Sequence, residues 1–205
     1  MNDRLSKLKA DNDQVGEKMR MEAGRFARLS SRHKNGTAPR IVTAFNLFQT
    51  PELIADKMAR LIPEDAKRIL EPSAGLGRLY LAGLDVVPGA RWVLVEQSPA
   101  CCRELYDMVQ DADLRQGDFL SREGLGLFDC VIMNPPFKFG RDIRHIKHAL
   151  SMLRSRGTLI ALCYNGAKQN KVLKPMADTW EILPEGSFKE TGTRASVAML
   201  TIKKA

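Results

Sequence analysis

The sequence predicts an α/β fold, a mixed and mostly parallel sheet with helices on both faces and an antiparallel hairpin at one edge. Three observations predict it. From Ile41 onward, short apolar runs of strand type alternate with segments whose apolar residues recur at helical spacing. The first strand run ends in a glycine-rich turn. The last two strand runs have no clear helix between them, which makes a hairpin rather than a crossover. Parallel neighbours need crossover helices, which then cover both faces. A closing hairpin makes the sheet mixed.

The elements follow in order. Thr50 is placed to cap a helix with Pro51 at its first position. Leu53, Ile54, Met58, Leu61 and Ile62 give that helix one apolar face. Residues 68–72 read as a buried strand, 76–84 as a helix and 91–96 as a second strand. Ser98 can cap a helix through Cys102, Leu105 and Met108. Residues 113–118 make a short third strand and 128–133 a fourth. A helix over about 141–155 leads to a fifth strand at 157–163. The hairpin strands are 180–183 and 197–202.

Residues 1–40 differ from the rest. They are polar and basic, with almost no large apolar side chain before Phe26. They read as an N-terminal extension, partly helical (about 13–29) or flexible, and 41–205 as the folded domain. The net charge is +8. Seven basic residues and a single acid, Glu22, lie between Lys18 and Arg40. That stretch suits phosphate contacts and equally suits a solvated arm. No run is long and apolar enough to span a bilayer, and the start lacks a signal-peptide core, so a cytoplasmic location is expected. The four cysteines form no C-x-x-C pair and no zinc spacing. Cys130 and Cys163 lie in strand runs and are expected to be buried thiols.

Ligands of such sheets sit beyond the C-terminal strand ends, so chemistry is sought there. The first strand ends in Glu71-Pro-Ser-Ala-Gly-Leu-Gly77. Glycines let the backbone turn tightly against a ligand, and the helix that follows presents its amides. Glu96 ends the second strand and can accept from both hydroxyls of a ribose. Asp118 and Phe119 follow the third strand, where a carboxylate can take an amino group and a ring can pack on a base. Gly117-Asp118 reads as readily as a turn.

Asn134-Pro135-Pro136-Phe137 directly follows the fourth strand. Two prolines stop a strand. They also fix the backbone and leave carbonyls free to accept. An Asn carbonyl and a Pro carbonyl can hold both hydrogens of an NH₂ group while the Phe ring stacks on the base that bears it. An aromatic amine is a poor nucleophile because its lone pair is delocalised. Accepting both hydrogens favours a more tetrahedral nitrogen that can attack a sulfonium methyl in line. Catalysis then rests on positioning and preorganised polar groups.

In this order on successive strands, Glu71-Pro-Ser-Ala-Gly-Leu-Gly77, Glu96, Asp118-Phe119 and Asn134-Pro-Pro-Phe137 resemble the class I methyltransferases that act on amino groups. Phe48-Gln-Thr-Pro51 is similar to the segment that closes over the methionine end of the cofactor in adenine-N6 DNA methyltransferases. Thr191-Gly-Thr-Arg-Ala-Ser-Val197 is similar to their approach to the final strand. Phage- and prophage-encoded proteins are the closest resemblance, which covers Phe45 to the C-terminus.

The resemblance implies a Rossmann-like methyltransferase fold with a seven-stranded sheet. It implies S-adenosyl-L-methionine as cofactor, S-adenosyl-L-homocysteine as product and no metal. Gly75 and Gly77 would border the methionine moiety, with Phe48 and Thr50 along its side. Glu96 would bind the ribose, Asp118 and Phe119 the adenine, and Glu71, Ser73 and Asn134 would complete the cofactor's contacts. Asn134 and Pro135 would accept from the target amine, Pro136 would set the turn, and Phe137 would stack on the target base. A base in duplex DNA would have to be flipped out.

The leading substrate is adenine N6 in DNA. Ribosomal RNA, at adenine N6 or guanine N2, is the nearest alternative. A protein glutamine side chain ranks lower because that family carries Tyr where this chain has Phe137. Cytosine C5 chemistry is disfavoured, since no cysteine stands in the Pro-Cys position it needs. A binding protein on a retained methyltransferase fold is the alternative from another class. The sequence leaves no room for a separate target-recognition domain, so a protein partner is a candidate source of specificity. Lys138, Arg141, Arg144, His145 and Lys147 lie in a short loop and helix start at 138–147, a second candidate phosphate path. His145 and His148 read as surface or loop histidines, not general bases.

Overall fold

A computed structural model describes residues 49–109, 111–189 and 195–205. These fall in a unit running from Thr43 to Ala205. The basic extension, Phe48 and most of the segment 191–197 lie outside the described residues.

The order is α1 (Glu52–Ala59), β1 (Arg68–Glu71), α2 (Arg78–Val86), β2 (Arg91–Glu96), α3 (Pro99–Tyr106), β3 (Ala112–Gln116), β4 (Phe128–Met133), α4 (Arg141–Ser151), β5 (Leu153–Tyr164), α5 (Ala167–Val172), β6 (Thr179–Ile182) and β7 (Val197–Lys203). Short 3-10 turns occur at Phe119–Ser121, Lys138–Gly140 and Lys174–Met176. The strands form one seven-stranded sheet, β3-β2-β1-β4-β5-β7-β6. Pairs among β1 to β5 are parallel. β7 runs antiparallel to both β5 and β6. The strand order reverses beside β1, and the clefts beyond β1, β2 and β4 open there.

Strand periodicity builds a core on each face. Ile69, Trp92, Leu94, Cys130 and Ile132 point to the face covered by α1, α2 and α3. Leu70, Val93, Val95, Val131 and Met133 point to the other, against α4. On the first face Tyr80 meets Trp92 edge to face, with ring centroids 5.4 Å apart. α2 lies so close to β2 that a Cβ on Gly83 would stand 2.4 Å from the Trp92 ring. All four cysteines are free and buried. Burial pushes the Cys163 thiol up to about 12, so it stays protonated and inert. No helix of the described residues is long and apolar enough to cross a membrane.

Three sequence expectations are corrected. Thr50 does not cap α1: Pro51 occupies the cap position, and no side chain bonds the first-turn amides. Its hydroxyl is engaged elsewhere, as described below. The fourth helix stops at Ser151, because Leu153–Arg156 already belongs to a long β5. Two left-handed residues in the 138–140 turn precede that helix. The sequence reading also passes over α5, whose single turn and a half has too few apolar positions to show helical spacing. Ser98 does cap α3, accepting from the Cys101 amide at 3.4 Å with Pro99 at the first position.

Candidate active site

The prolines and glycines at the strand ends shape one cavity of about 420 Å³. That lies within the range of small-molecule sites, about 300–1,000 Å³. Its floor is the loop after β1. Pro72 ends the strand, the Ala74 amide donates to the Val95 carbonyl at 3.0 Å, and Gly75 turns with φ +56°. Glu71, Ser73 and Gly75 line the wall.

Gly77 does not line the cavity. It caps α2 with φ +75°, and a Cβ there would stand 2.9 Å from Leu105 Cδ2. Its glycine therefore answers to backbone and packing. Gly77→Ala is expected to cost about 1–3 kcal/mol, read as a lower denaturant midpoint.

Glu96 is 8 % exposed and lines the cavity. Its Oε2 accepts from the Gly75 amide at 2.8 Å and its Oε1 from the Ser98 amide at 2.7 Å. Each carboxylate oxygen retains acceptor capacity, so two neighbouring hydroxyls can be received by a group that is already aimed. Glu71 is 1 % exposed, and its Oε2 has no hydrogen-bond partner. Burial raises its pKa well above the usual range, the Tyr80 amide opposes this, and the nearby Glu96 charge adds to it. A buried acceptor without a donor, on a cavity wall, is a place where a ligand's ammonium or hydroxyl fits.

At the far end, Asp118 ends the loop after β3. Its Oδ1 accepts from the Leu120 amide at 3.1 Å and its Oδ2 lies 3.5 Å from an Arg141 nitrogen. Phe119 is buried beneath it and packs on His148 with centroids 4.7 Å apart and on His145 at 5.6 Å.

His145 is buried and not a surface residue, while His148 is half-buried. Both sit on α4. His145 is 3 % exposed and lines the cavity with neither ring nitrogen partnered, while His148 Nε2 lies 3.1 Å from the Arg122 carbonyl. Basic spacing hid the fact that position 145 falls on the apolar face with Ile146 and Ala149. Burial, then the Arg141 charge, holds the His145 pKa down to about 4, with Arg144 and His148 acting the same way and Asp118 opposing. The unfolded chain therefore takes a proton at about 6.5 that the folded chain refuses until about 4. The neutral ring's contribution is complete above pH 6.5 and is lost as pH falls through that window, by on the order of 3 kcal/mol. His145→Leu should flatten that acid limb in denaturation series run at successive pH values. An equally steep limb in the variant would assign it to other groups.

β4, the neighbour of β1, delivers Asn134-Pro135-Pro136-Phe137 to the same cavity, and all four line it. Asn134 Nδ2 donates to Thr50 Oγ1 at 3.1 Å. The backbone carbonyl of Thr50 in turn accepts from Arg78 at 3.2 Å. Thr50 thus orients the Asn134 amide, which sequence spacing could not reveal across 84 residues. Nδ2 only donates, so the carbonyl oxygen is the acceptor that this side chain has to offer. Among the described residues no cluster of His, Cys, Asp and Glu could hold a metal.

Two features go beyond the sequence reading, which names Arg141 only on a candidate phosphate path and does not single out Phe139. Arg141 lines the cavity beside Asp118. Phe139 is 92 % exposed and has φ +58°, although it is neither Gly nor Asn.

The comparisons agree with this architecture. A search of curated proteins gives no match. Solved structures do match. The methyltransferase subunit of a type I restriction-modification system from Streptococcus thermophilus superposes with a TM-score of 0.65 at 18 % identity, over 77 % of this chain and 45 % of that one. A Listeria monocytogenes protein described as a class I S-adenosylmethionine-dependent methyltransferase gives 0.62 at 18 %, over 80 % and 63 %. A Pyrococcus horikoshii protein described as an RNA methyltransferase gives 0.58 at 18 %, over 77 % and 87 %. The chain thus spans less than two thirds of the first two proteins. At these identities the likeness shows the Rossmann-like methyltransferase fold. A family model, the methyltransferase small domain, matches residues 49–189, and the chain belongs to that family.

Proposed function

We propose that this protein transfers a methyl group from S-adenosylmethionine to an exocyclic amino nitrogen of a nucleic-acid base, with adenine N6 in DNA as the first target. One observation carries the reading. The acceptor Asn134, oriented by Thr50, shares a single cavity with the anchored carboxylate of Glu96.

The residues present fit the cofactor. Glu96 would receive the ribose hydroxyls, Glu71 the amino-acid ammonium, Ser73 and Gly75 the methionine backbone, and Asp118 and Phe119 the adenine. Phe48, by resemblance, would close the methionine side. When bound, the cofactor would supply an electrophilic methyl on a cationic sulfur; the N–C bond would form as the S–C bond breaks, and the amine proton would leave to solvent. The protein's part is positional. Asn134 and Pro135 hold the amine hydrogens, Pro136 fixes the turn, and Phe137 stacks on the base.

A nucleic-acid substrate is supported by the basic residues at 138–147 and by the names of the structural neighbours, which include a restriction-modification subunit and an RNA methyltransferase. DNA as the substrate rests on the resemblance around Phe48–Pro51 and on the phage-like overall pattern. RNA is the second reading, favoured by the Pyrococcus neighbour. Target recognition is proposed to involve a protein partner or the basic residues 18–40.

The test is transfer of labelled methyl from S-adenosylmethionine to duplex DNA, heat-denatured DNA, ribosomal RNA and a protein extract offered in parallel. Label in DNA supports the reading. Label confined to RNA or protein would replace the substrate and keep the chemistry, and cofactor binding without any transfer would favour a binding protein on this fold.

A further inference from the structure

We infer that Phe139 is a stacking platform for an unpaired nucleobase beside the target, with Lys138 and Lys168 holding the adjoining phosphates. The inference rests on the nucleic-acid reading above and deepens it.

Phe139 is an aromatic side chain that the fold does not use. It is 92 % exposed, and it belongs to neither core. Yet the chain holds it in the left-handed region, φ +58° and ψ 24°, where a bulky side chain is disfavoured. Gly140 follows with φ +66°, so the two residues form a tight reversal that thrusts the ring outward. A ring kept both strained and solvated is explained by a partner, not by packing.

Its place says what the partner is. Phe137 and Arg141, two residues to either side, line the cavity. The ring therefore stands at the rim where a strand bearing the target base would pass. The ammonium of Lys168, on α5, lies 3.2 Å from where a Cβ on Gly140 would stand. Lys138 and Lys168 are exposed and have no salt-bridge partner among the described residues. Tyr164, at the end of β5, adds a second aromatic that is 43 % exposed.

The sign of the charge is uniform. Segments 138–148 and 164–176 hold seven Lys and Arg and one acid, Asp142. That acid is 0 % exposed and fully engaged: it accepts from Gln169 Nε2 at 2.9 and 3.1 Å and from the Tyr164 amide at 3.1 Å. It offers the surface no negative charge. It ties the start of α4 to β5 and α5, so the aromatic and the two cations stand on one braced rim. An aromatic face among cations, with no exposed acid in either segment, matches a stacked base between phosphates.

The test is fluorescence anisotropy of a labelled, adenine-containing single-stranded oligodeoxynucleotide, run over a series of salt concentrations with the full chain. Phe139→Ala should weaken binding about tenfold without changing the slope against salt, because stacking carries no charge. Phe139→Trp should restore it. Lys138→Gln and Lys168→Gln should each reduce the log–log salt slope by about 0.7. Phe139→Gly should bind as weakly as the alanine variant yet unfold at a higher temperature, since it relieves the backbone. Wild-type affinity in Phe139→Ala would overturn the platform alone. If the wild-type chain binds S-adenosylmethionine but no oligonucleotide of DNA or RNA, the nucleic-acid reading fails and the platform with it.

Discussion

Asn134→Ala is expected to lower turnover by about 10²–10³-fold, the usual loss when one preorganised polar group at the reacting centre is removed. The cofactor's dissociation constant should stay within about threefold, because Glu96, the proposed ribose acceptor, keeps its bonds to the Gly75 and Ser98 amides. The split matters more than the size of the loss. On the proposed reading Asn134 accepts from the attacking amine, so its removal would leave that nitrogen flat and unreactive while binding persists. Single-turnover kinetics with a saturating cofactor reads the chemical step, and equilibrium titration reads binding. Equal losses in both would return Asn134 to a structural part in shaping the cavity. Its bond to Thr50 makes the isolated binding measurement necessary, since that bond joins the loop after β4 to the residues before α1.

Glu96→Ala should invert that pattern, with cofactor affinity falling by about 10²-fold or more and the chemical step at saturation changing little. Two hydrogen bonds to a charged acceptor contribute about 1.5–3 kcal/mol each. The same substitution leaves the Gly75 and Ser98 amides without their partner, so the cofactor floor loosens as well. Glu96→Gln separates the two effects. It keeps an acceptor for one amide and removes the charge. Its affinity should fall between the wild type and the alanine variant, and an affinity in Glu96→Ala equal to the wild type would remove Glu96 from the ribose role.

Much of this site was legible in the sequence, for a physical reason. A parallel sheet ends its strands at one edge, so motifs that follow strands must converge there. Glu96, Asn134 and Asp118 were found by that rule, and they do line one cavity. The sequence could not say which residue answers to ligand and which to fold. Gly75 borders the cavity while Gly77, two residues on, answers to Leu105. Thr50 sits where a helix cap belongs, but its hydroxyl is held by Asn134, a contact set by tertiary folding. His145 stands among basic residues and reads as exposed, yet helical phase turns it inward beside Phe119. Phe139 was passed over because left-handed geometry at a non-glycine residue leaves no sequence mark. α5 was missed because it is short and polar, with Gln169 buried through its bonds to Asp142.

The central claim is methyl transfer to an exocyclic base nitrogen by the Asn134 wall. Mass spectrometry of nucleosides, after incubation of unmethylated DNA with the purified protein and S-adenosylmethionine, tests it most directly. The account predicts N6-methyldeoxyadenosine that disappears with Asn134→Ala. Methylation at a ring carbon or a ribose oxygen, or a product that persists undiminished in Asn134→Ala, would contradict it.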